Sequence, residues 1–233
     1  MTEPAKTVIL TGAGSGIGLA TARKLHAAGF RLLLAGRDSR KLDAAAGELP
    51  GSLTRTVDLA DSRQVEGLID EGSAALGRLD VLVNNAGWTP LKPVGAHASD
   101  EIEQVFRVNA IAPCVAIARA FGIMQRQGGG CIVNVSSMAT VDPFPGFFAY
   151  AAAKASLNLM VKSVANEGRS KGIRAYAVAP GAVETPLLRS MFSEKSIPRN
   201  RALHPDDVAQ IIADCALGRR EKDNGSTILV PSP

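Results

Sequence analysis

The chain has 233 residues, 46% of them apolar, enough to bury the core of a single domain. Its net charge of +4 comes from scattered Lys and Arg, with no basic run and no interleaved aromatics, which argues against a nucleic-acid partner. The three cysteines, Cys114, Cys131 and Cys215, are odd in number and widely spaced, so they give neither a disulfide framework nor metal-ligand spacing; core packing is their expected role.

The first residues run into an apolar strand without a signal-peptide pattern, and no apolar run has the length of a bilayer span. A soluble, cytoplasmic protein without a membrane partner is expected.

Thr7–Leu10 reads as a short buried strand, followed at once by Thr11-Gly-Ala-Gly-Ser-Gly-Ile-Gly18 and a helical pattern through Leu19, Ala22, Leu25 and Ala28. Strand, glycine turn and helix together form the context in which backbone amides and a helix N-terminus receive a diphosphate. Gly12, Gly16 and Gly18 are the positions that matter for this. Arg31–Ala35 is a second strand, and Gly36 and Arg37 follow it where a dinucleotide site distinguishes its cofactors. A carboxylate there would suit a free 2′-hydroxyl, whereas the guanidinium of Arg37 suits a 2′-phosphate. NADP(H) is therefore favoured over NAD(H), with Asp38 as an alternative partner for the ribose.

Leu53–Val57 is a third strand; Asp58 ends it, as a turn residue or an adenine contact, and Asp61 is positioned to cap the next helix. Leu79–Val83 is a fourth strand, ending in Asn84-Asn-Ala-Gly87, where asparagines can tie strand ends together and small residues leave room for a ribose. Ser99 is a candidate N-cap for a helix carrying Ile102, Val105, Phe106 and Val108. Asn109 interrupts this apolar run and, if buried, needs partners, either as a local cap or around a water. Cys131–Val135 is a fifth strand leading to Ser136-Ser137. A loop containing Pro143, Pro145 and Gly146 then enters a helix in which Tyr150 and Lys154 share a face. Ile173–Ala179 and Thr227–Val230 complete the strands. Residues 186–204 mix apolar and basic side chains and read as a cover over a pocket or a surface connection. The alternation of strands and helices without a linker predicts one α/β domain over residues 1–233 with a parallel sheet.

Taken together, Thr11–Gly18, Asn84–Gly87, Asn109, Ser137, Tyr150-x-x-x-Lys154 and Pro180-Gly181…Thr185 resemble the short-chain dehydrogenase/reductase family, in its order and spacing. The resemblance spans residues 11–185. It implies a three-layer, doubly wound Rossmann-like fold: about seven parallel strands with helices on both faces. It also implies hydride transfer between NAD(P)(H) and a small carbonyl or alcohol, usually by a homodimer or homotetramer and without a metal. Carried over by residue, Tyr150 is the general acid and base, and Lys154 binds the nicotinamide ribose and, with the oxidised cofactor, favours the phenolate. Ser137 holds the substrate oxygen, in preference to Ser136, and Asn109 holds a water. Cofactor contacts are implied at Gly12, Gly14, Ser15, Gly16, Ile17, Gly18, Arg37, Asp58, Leu59, Asn85, Ala86, Gly87, Tyr150, Lys154, Pro180, Gly181, Val183 and Thr185. The ending Val230-Pro-Ser-Pro233 departs from the family's glycine-rich tail. Phe144, Phe147, Phe148, Leu188 and Phe192 fit an apolar pocket wall, the core or a subunit interface equally well. The contrasting possibility, an NADP(H) sensor without turnover, has no use for the complete Asn109, Ser137, Tyr150 and Lys154 set.

Overall fold

The computed structural model describes residues 5–233. Seven parallel strands form one sheet in the order β3-β2-β1-β4-β5-β6-β7. In chain order the elements are β1 (Thr7–Thr11), α1 (Gly16–Ala27), β2 (Arg31–Gly36), α2 (Ser39–Glu48), β3 (Leu53–Thr56), α3 (Ser62–Leu76) and β4 (Val81–Asn84). They continue with α4 (Ser99–Phe106), α5 (Ala112–Arg126), β5 (Gly130–Val135), α6 (Phe148–Gly168), β6 (Ile173–Pro180), α7 (Pro186–Met191), α8 (Pro205–Ala216) and β7 (Thr227–Val230). This is the doubly wound, Rossmann-like α/β arrangement expected from the sequence.

Successive strand side chains point to opposite faces, and both faces are dry. In β1, Val8 and Leu10 join Leu25 of α1 and Val208 and Ile212 of α8 in one core. Ile9 joins Ile69 of α3, Met124 of α5 and Val161 of α6 in the other. The continuous apolar runs in the sequence are therefore strands buried on two sides. The strand order reverses between β1 and β4, which are paired neighbours, and a crevice opens beyond their carboxyl ends.

Several local expectations shift. Asp61 caps α3, accepting the Arg63 N–H at 2.9 Å. Ser99, by contrast, is the first residue of α4 and not its cap: Ala98 takes that position, its N–H bound to the Glu101 carboxylate at 3.2 Å. Cys131 and Cys215 are buried as expected, but Cys114 is exposed because its side of α5 faces outward. Residues 99–126 form one helical run long and apolar enough, by length and composition, to cross a bilayer, which the sequence reading did not foresee. Half of its most apolar window is buried within the domain, where α5 packs on α3, α6 and the sheet. Its middle, Arg107–Ile111, is a π-turn around Asn109.

The glycine turn is closed by contact as well as by conformation. Gly12 adopts φ of 66°, a region that favours glycine. A Cβ on Gly18 would lie 2.1 Å from the Gly12 carbonyl oxygen. Gly18→Ala must therefore push α1 away from the strand end. It is expected to lower stability by roughly 1–3 kcal/mol, as overpacking does, seen as a lower urea midpoint with unchanged slope.

Candidate active site

Beyond the carboxyl ends of the strands lies a single continuous cavity of about 420 Å³. The β1–α1 turn supplies Gly12, Ser15, Gly16 and Ile17; Ser15, at the N-cap position, makes no side-chain capping bond. The first amides of α1 therefore meet the cavity with the helix dipole behind them. The β2 end supplies Gly36 and Arg37, the β3 end Asp58 and Leu59, and the β4 end Asn85, Ala86 and Gly87. Ser137, Tyr150 and Lys154 line the opposite part, and Pro180, Gly181, Val183 and Thr185 close one side.

Three of the predicted site residues stand off the cavity wall. A Cβ on Gly14 would meet Lys41 at 2.9 Å, so this glycine lets α2 approach. Gly18 packs under Gly12, as described above. Asn109 is fully buried behind the wall, with Nδ2 donating to the carbonyls of Trp88 at 2.6 Å and Val105 at 2.8 Å. Its Oδ1 accepts the Trp88 N–H at 3.2 Å. Through these bonds its side chain braces the loop after β4.

The expected ties between strand ends are present. Asn84 donates to Asn134 across β4 and β5 at 2.9 Å, and Asn85 Nδ2 donates to the Thr11 and Gly12 carbonyls. Asp38 is committed elsewhere: it caps α2 by accepting from Lys41 N–H at 3.3 Å and does not reach the cavity. Arg37 is exposed at the cavity mouth and makes no ion pair or side-chain hydrogen bond among the described residues. Asp58 accepts the Ala60 N–H at 3.0 Å, a turn bond that coexists with its place on the wall.

Tyr150 and Lys154 follow each other on α6, with the ammonium 5.7 Å from the centroid of the phenol ring. Lys154 is 2% exposed, and its Nζ donates to the Val135 carbonyl at 2.7 Å, which joins α6 to the end of β5. Burial lowers the lysine to about 8 and pushes the Tyr150 phenol up to about 12; the Ser137 hydroxyl beside the phenol acts in the opposite direction. In the protein alone, desolvation of the phenolate outweighs the Ser137 hydrogen bond. The two serines separate clearly. Ser136 is buried and bonds the Lys154 carbonyl at 3.3 Å. Ser137 is half-buried beside the phenol, and its backbone is braced by Thr140 Oγ1 donating to its carbonyl at 2.8 Å.

The wall also contains residues the sequence did not single out, among them Trp88, Thr89, Met191 and Ile197. The segment that carries the last two is held by Arg189, whose guanidinium pairs with the Glu184 carboxylate and donates to the Ile197 carbonyl at 2.8 Å. An arginine isolated among Leu187, Leu188, Met191 and Phe192 was the available signal. The end of β7 and Ser232 beyond it pack against the same side of the cavity. The Gly181 N–H donates to Val230 at 2.9 Å, and the Ala182 N–H donates to Ser232 Oγ at 2.7 Å.

The family model described as short chain dehydrogenase matches residues 6–196. The 3beta-hydroxysteroid dehydrogenase 1 of Eggerthella lenta is 31% identical, covering 97% of this chain and 92% of that protein. L-xylulose reductase of Bos taurus is 32% identical over 97% of this chain and 94% of its own. Among solved structures, the 3-ketoacyl-(acyl-carrier-protein) reductase from Brucella melitensis, complexed with NADH, superposes with a TM-score of 0.91 at 27% identity, covering 98% of each chain. The chain belongs to the short-chain dehydrogenase/reductase family of oxidoreductases.

The ionisation of Lys154 provides a test that needs no substrate. Below about pH 8 the native state carries a buried charge that the unfolded chain keeps in water. Between about 8 and 10.5 the native lysine is neutral while the unfolded one still binds its proton, so stability rises with pH. Urea unfolding across this window should show wild type gaining on Lys154→Met as pH rises. A constant difference would mean that the lysine is not desolvated. Tyr150 acts in the opposite sense only above about pH 10.

Proposed function

We propose that this protein transfers a hydride between NADP(H) and a small, uncharged and largely apolar carbonyl or alcohol, with Tyr150 as the acid in reduction and the base in oxidation. One observation carries the reading: a single cavity connects Arg37 at one end to Ser137, Tyr150 and Lys154 at the other. The wall between them suits a dinucleotide. Gly12 and Gly16 present bare backbone, and a Cβ on Gly87 would come within 3.4 Å of Lys154 Nζ. The bound nicotinamide would supply or accept the hydride.

The remaining work falls to side chains of this chain. The first amides of α1 hold the diphosphate, and Asn85, Ala86 and Gly87 with Pro180, Gly181, Val183 and Thr185 enclose the nicotinamide end. Lys154 holds the ribose hydroxyls. Ser137 donates to the substrate oxygen, and Tyr150 passes it a proton as negative charge develops there. A protonated phenol is ready for the reductive direction, and a tyrosine, with an ordinary value near ~10, keeps its proton across neutral pH without any help from burial. Oxidation needs the phenolate, which the Lys154 ammonium and the positive charge of the oxidised nicotinamide together favour. Asn109 keeps the Gly87–Trp88 loop in place beside Lys154 and, with a water, would connect the lysine to solvent.

Preference for the 2′-phosphate rests on Arg37, the cation at the adenosine end of the wall. Homodimer or homotetramer formation in the cytoplasm belongs to the same reading; apolar Ile111 of the π-turn and Leu159 of α6 lie exposed, 44% and 66%.

Tyr150→Phe should lower turnover of any accepted carbonyl by at least about 100-fold while leaving cofactor affinity within a few-fold. Near wild-type turnover in this variant would remove the phenol from the mechanism. Arg37→Asp should weaken NADPH by ~1.5–3 kcal/mol, the worth of a charge-assisted bond, with little loss for NADH in calorimetric titration. Equal loss for both cofactors would contradict a role in reading the 2′-phosphate.

A further inference from the structure

Three phenylalanines from two separate stretches converge over Tyr150. Phe144 and Phe147 come from the loop before α6, and Phe192 follows α7. Phe192 meets Phe144 edge-on, with ring centroids 5.4 Å apart and planes at 89°, and Phe147 at 6.3 Å and 74°. Phe147 in turn lies 5.3 Å from the Tyr150 ring. Phe192 thus closes a ring-lined slot whose floor is the phenol. Met191 and Leu188 extend this wall.

The charge that the same half of the cavity offers is the Lys154 ammonium, which is 2% exposed and already bonded to the Val135 carbonyl. The ionisable residues on the wall are Arg37 and Asp58 at the opposite end, and Tyr150 and Lys154. Of the cations of the covering segment, Arg189 is spent on Glu184 and on the carbonyls of Phe192 and Ile197, Arg199 pairs with Glu194, and Lys195 and Arg201 are exposed and off the wall. Lys92 is paired with Glu101. A carboxylate or phosphate next to the reacting carbonyl would therefore meet no cation beyond the buried, already bonded Lys154 ammonium, and would enter at the cost of its hydration. An aromatic ring, by contrast, can offer its edge or face to the three phenylalanines, and such pairing contributes beyond buried area.

We infer that the substrate is an uncharged carbonyl carried directly on an aromatic ring, or the corresponding alcohol, and that Phe192 is the residue that selects it. The inference rests on the hydride-transfer reading above and narrows it. No atom beyond the hydride and one proton is exchanged: the carbonyl carbon receives the hydride and its oxygen the Tyr150 proton. The rings choose which carbonyl is presented to that pair.

Three matched 2-oxo compounds test the class on the full chain with NADPH and with NADH. Methyl benzoylformate has both the ring and neutrality, benzoylformate adds a carboxylate, and methyl pyruvate replaces the ring by a methyl group. The neutral aryl ester should show kcat/KM at least about tenfold above each of the other two, from the unpaired charge in one case and the lost ring contacts in the other. Phe192→Ala should raise KM for the aryl ester by about tenfold with kcat within about threefold, and narrow its kcat/KM advantage over methyl pyruvate. Phe192→Leu, which keeps an apolar wall and guards against a folding defect, should fall between them. Equal or better use of benzoylformate or methyl pyruvate, or an unchanged KM in Phe192→Ala, overturns the inference. If none of the three is reduced while other carbonyls are turned over in a Tyr150-dependent way, the substrate class fails alone. If no carbonyl of a broad panel is reduced, both readings fail.

Discussion

The bond from Lys154 Nζ to the Val135 carbonyl is the constraint around which the site is built. It places an ammonium 2% exposed between α6 and the end of β5, with one backbone acceptor at 2.7 Å. Burying such a group is costly, and the depressed lysine reflects that cost. The surrounding packing supplies the compensation: Ala149, Ala153 and Leu157 bury the inner side of α6, and Ser136 fastens the helix again through the Lys154 carbonyl. With the helix fixed in this way, Tyr150 one turn earlier has little freedom, and its phenol is set over the cavity beside Ser137.

The sheet topology decides what the phenol faces. Because the strand order reverses between β1 and β4, the glycine turn and the Asn85–Gly87 segment border the same crevice. Asn85 binds both to Thr11 and Gly12, and Asn84 ties β4 to β5, so the two halves of the crevice share one hydrogen-bonded frame. The π-turn at Asn109 has a comparable function one layer out, where its side chain braces Trp88 from behind. Stability and function are coupled here: polar groups that would be expensive if unpaired are the same ones that align the wall.

Much of this was legible in the sequence because it depends on local pattern. A strand, a glycine turn and a helix are read from short-range periodicity, and the i, i+4 spacing of Tyr150 and Lys154 puts them on one face without knowledge of the fold. What escaped depends on distant contacts. That Gly14 also makes room for Lys41 of α2 is one such contact. Asp38 looked like an alternative ribose partner until α2 took it as a cap. Cys114 sits in an apolar stretch, but the direction its side chain faces is set by how α5 rolls against α3 and α6. Ser99 and Ala98 differ by one residue, below the precision of composition. The aromatic slot joins residues 144 and 192 through tertiary packing alone, and only the apolar character of both stretches was visible beforehand.

The chain contains only two tyrosines, Tyr150 and Tyr176, so a difference titration of phenolate absorbance between wild type and Tyr150→Phe isolates the proposed acid and base. In the protein alone, burial should keep the Tyr150 phenol protonated well past pH 10, toward about 12. With NADP+ bound, the added positive charge beside the phenol should bring its ionisation down by at least about one pH unit. An ionisation near 10 in the free protein, or one that NADP+ leaves unmoved, would contradict the account of a phenol held neutral by burial and released by the cofactor.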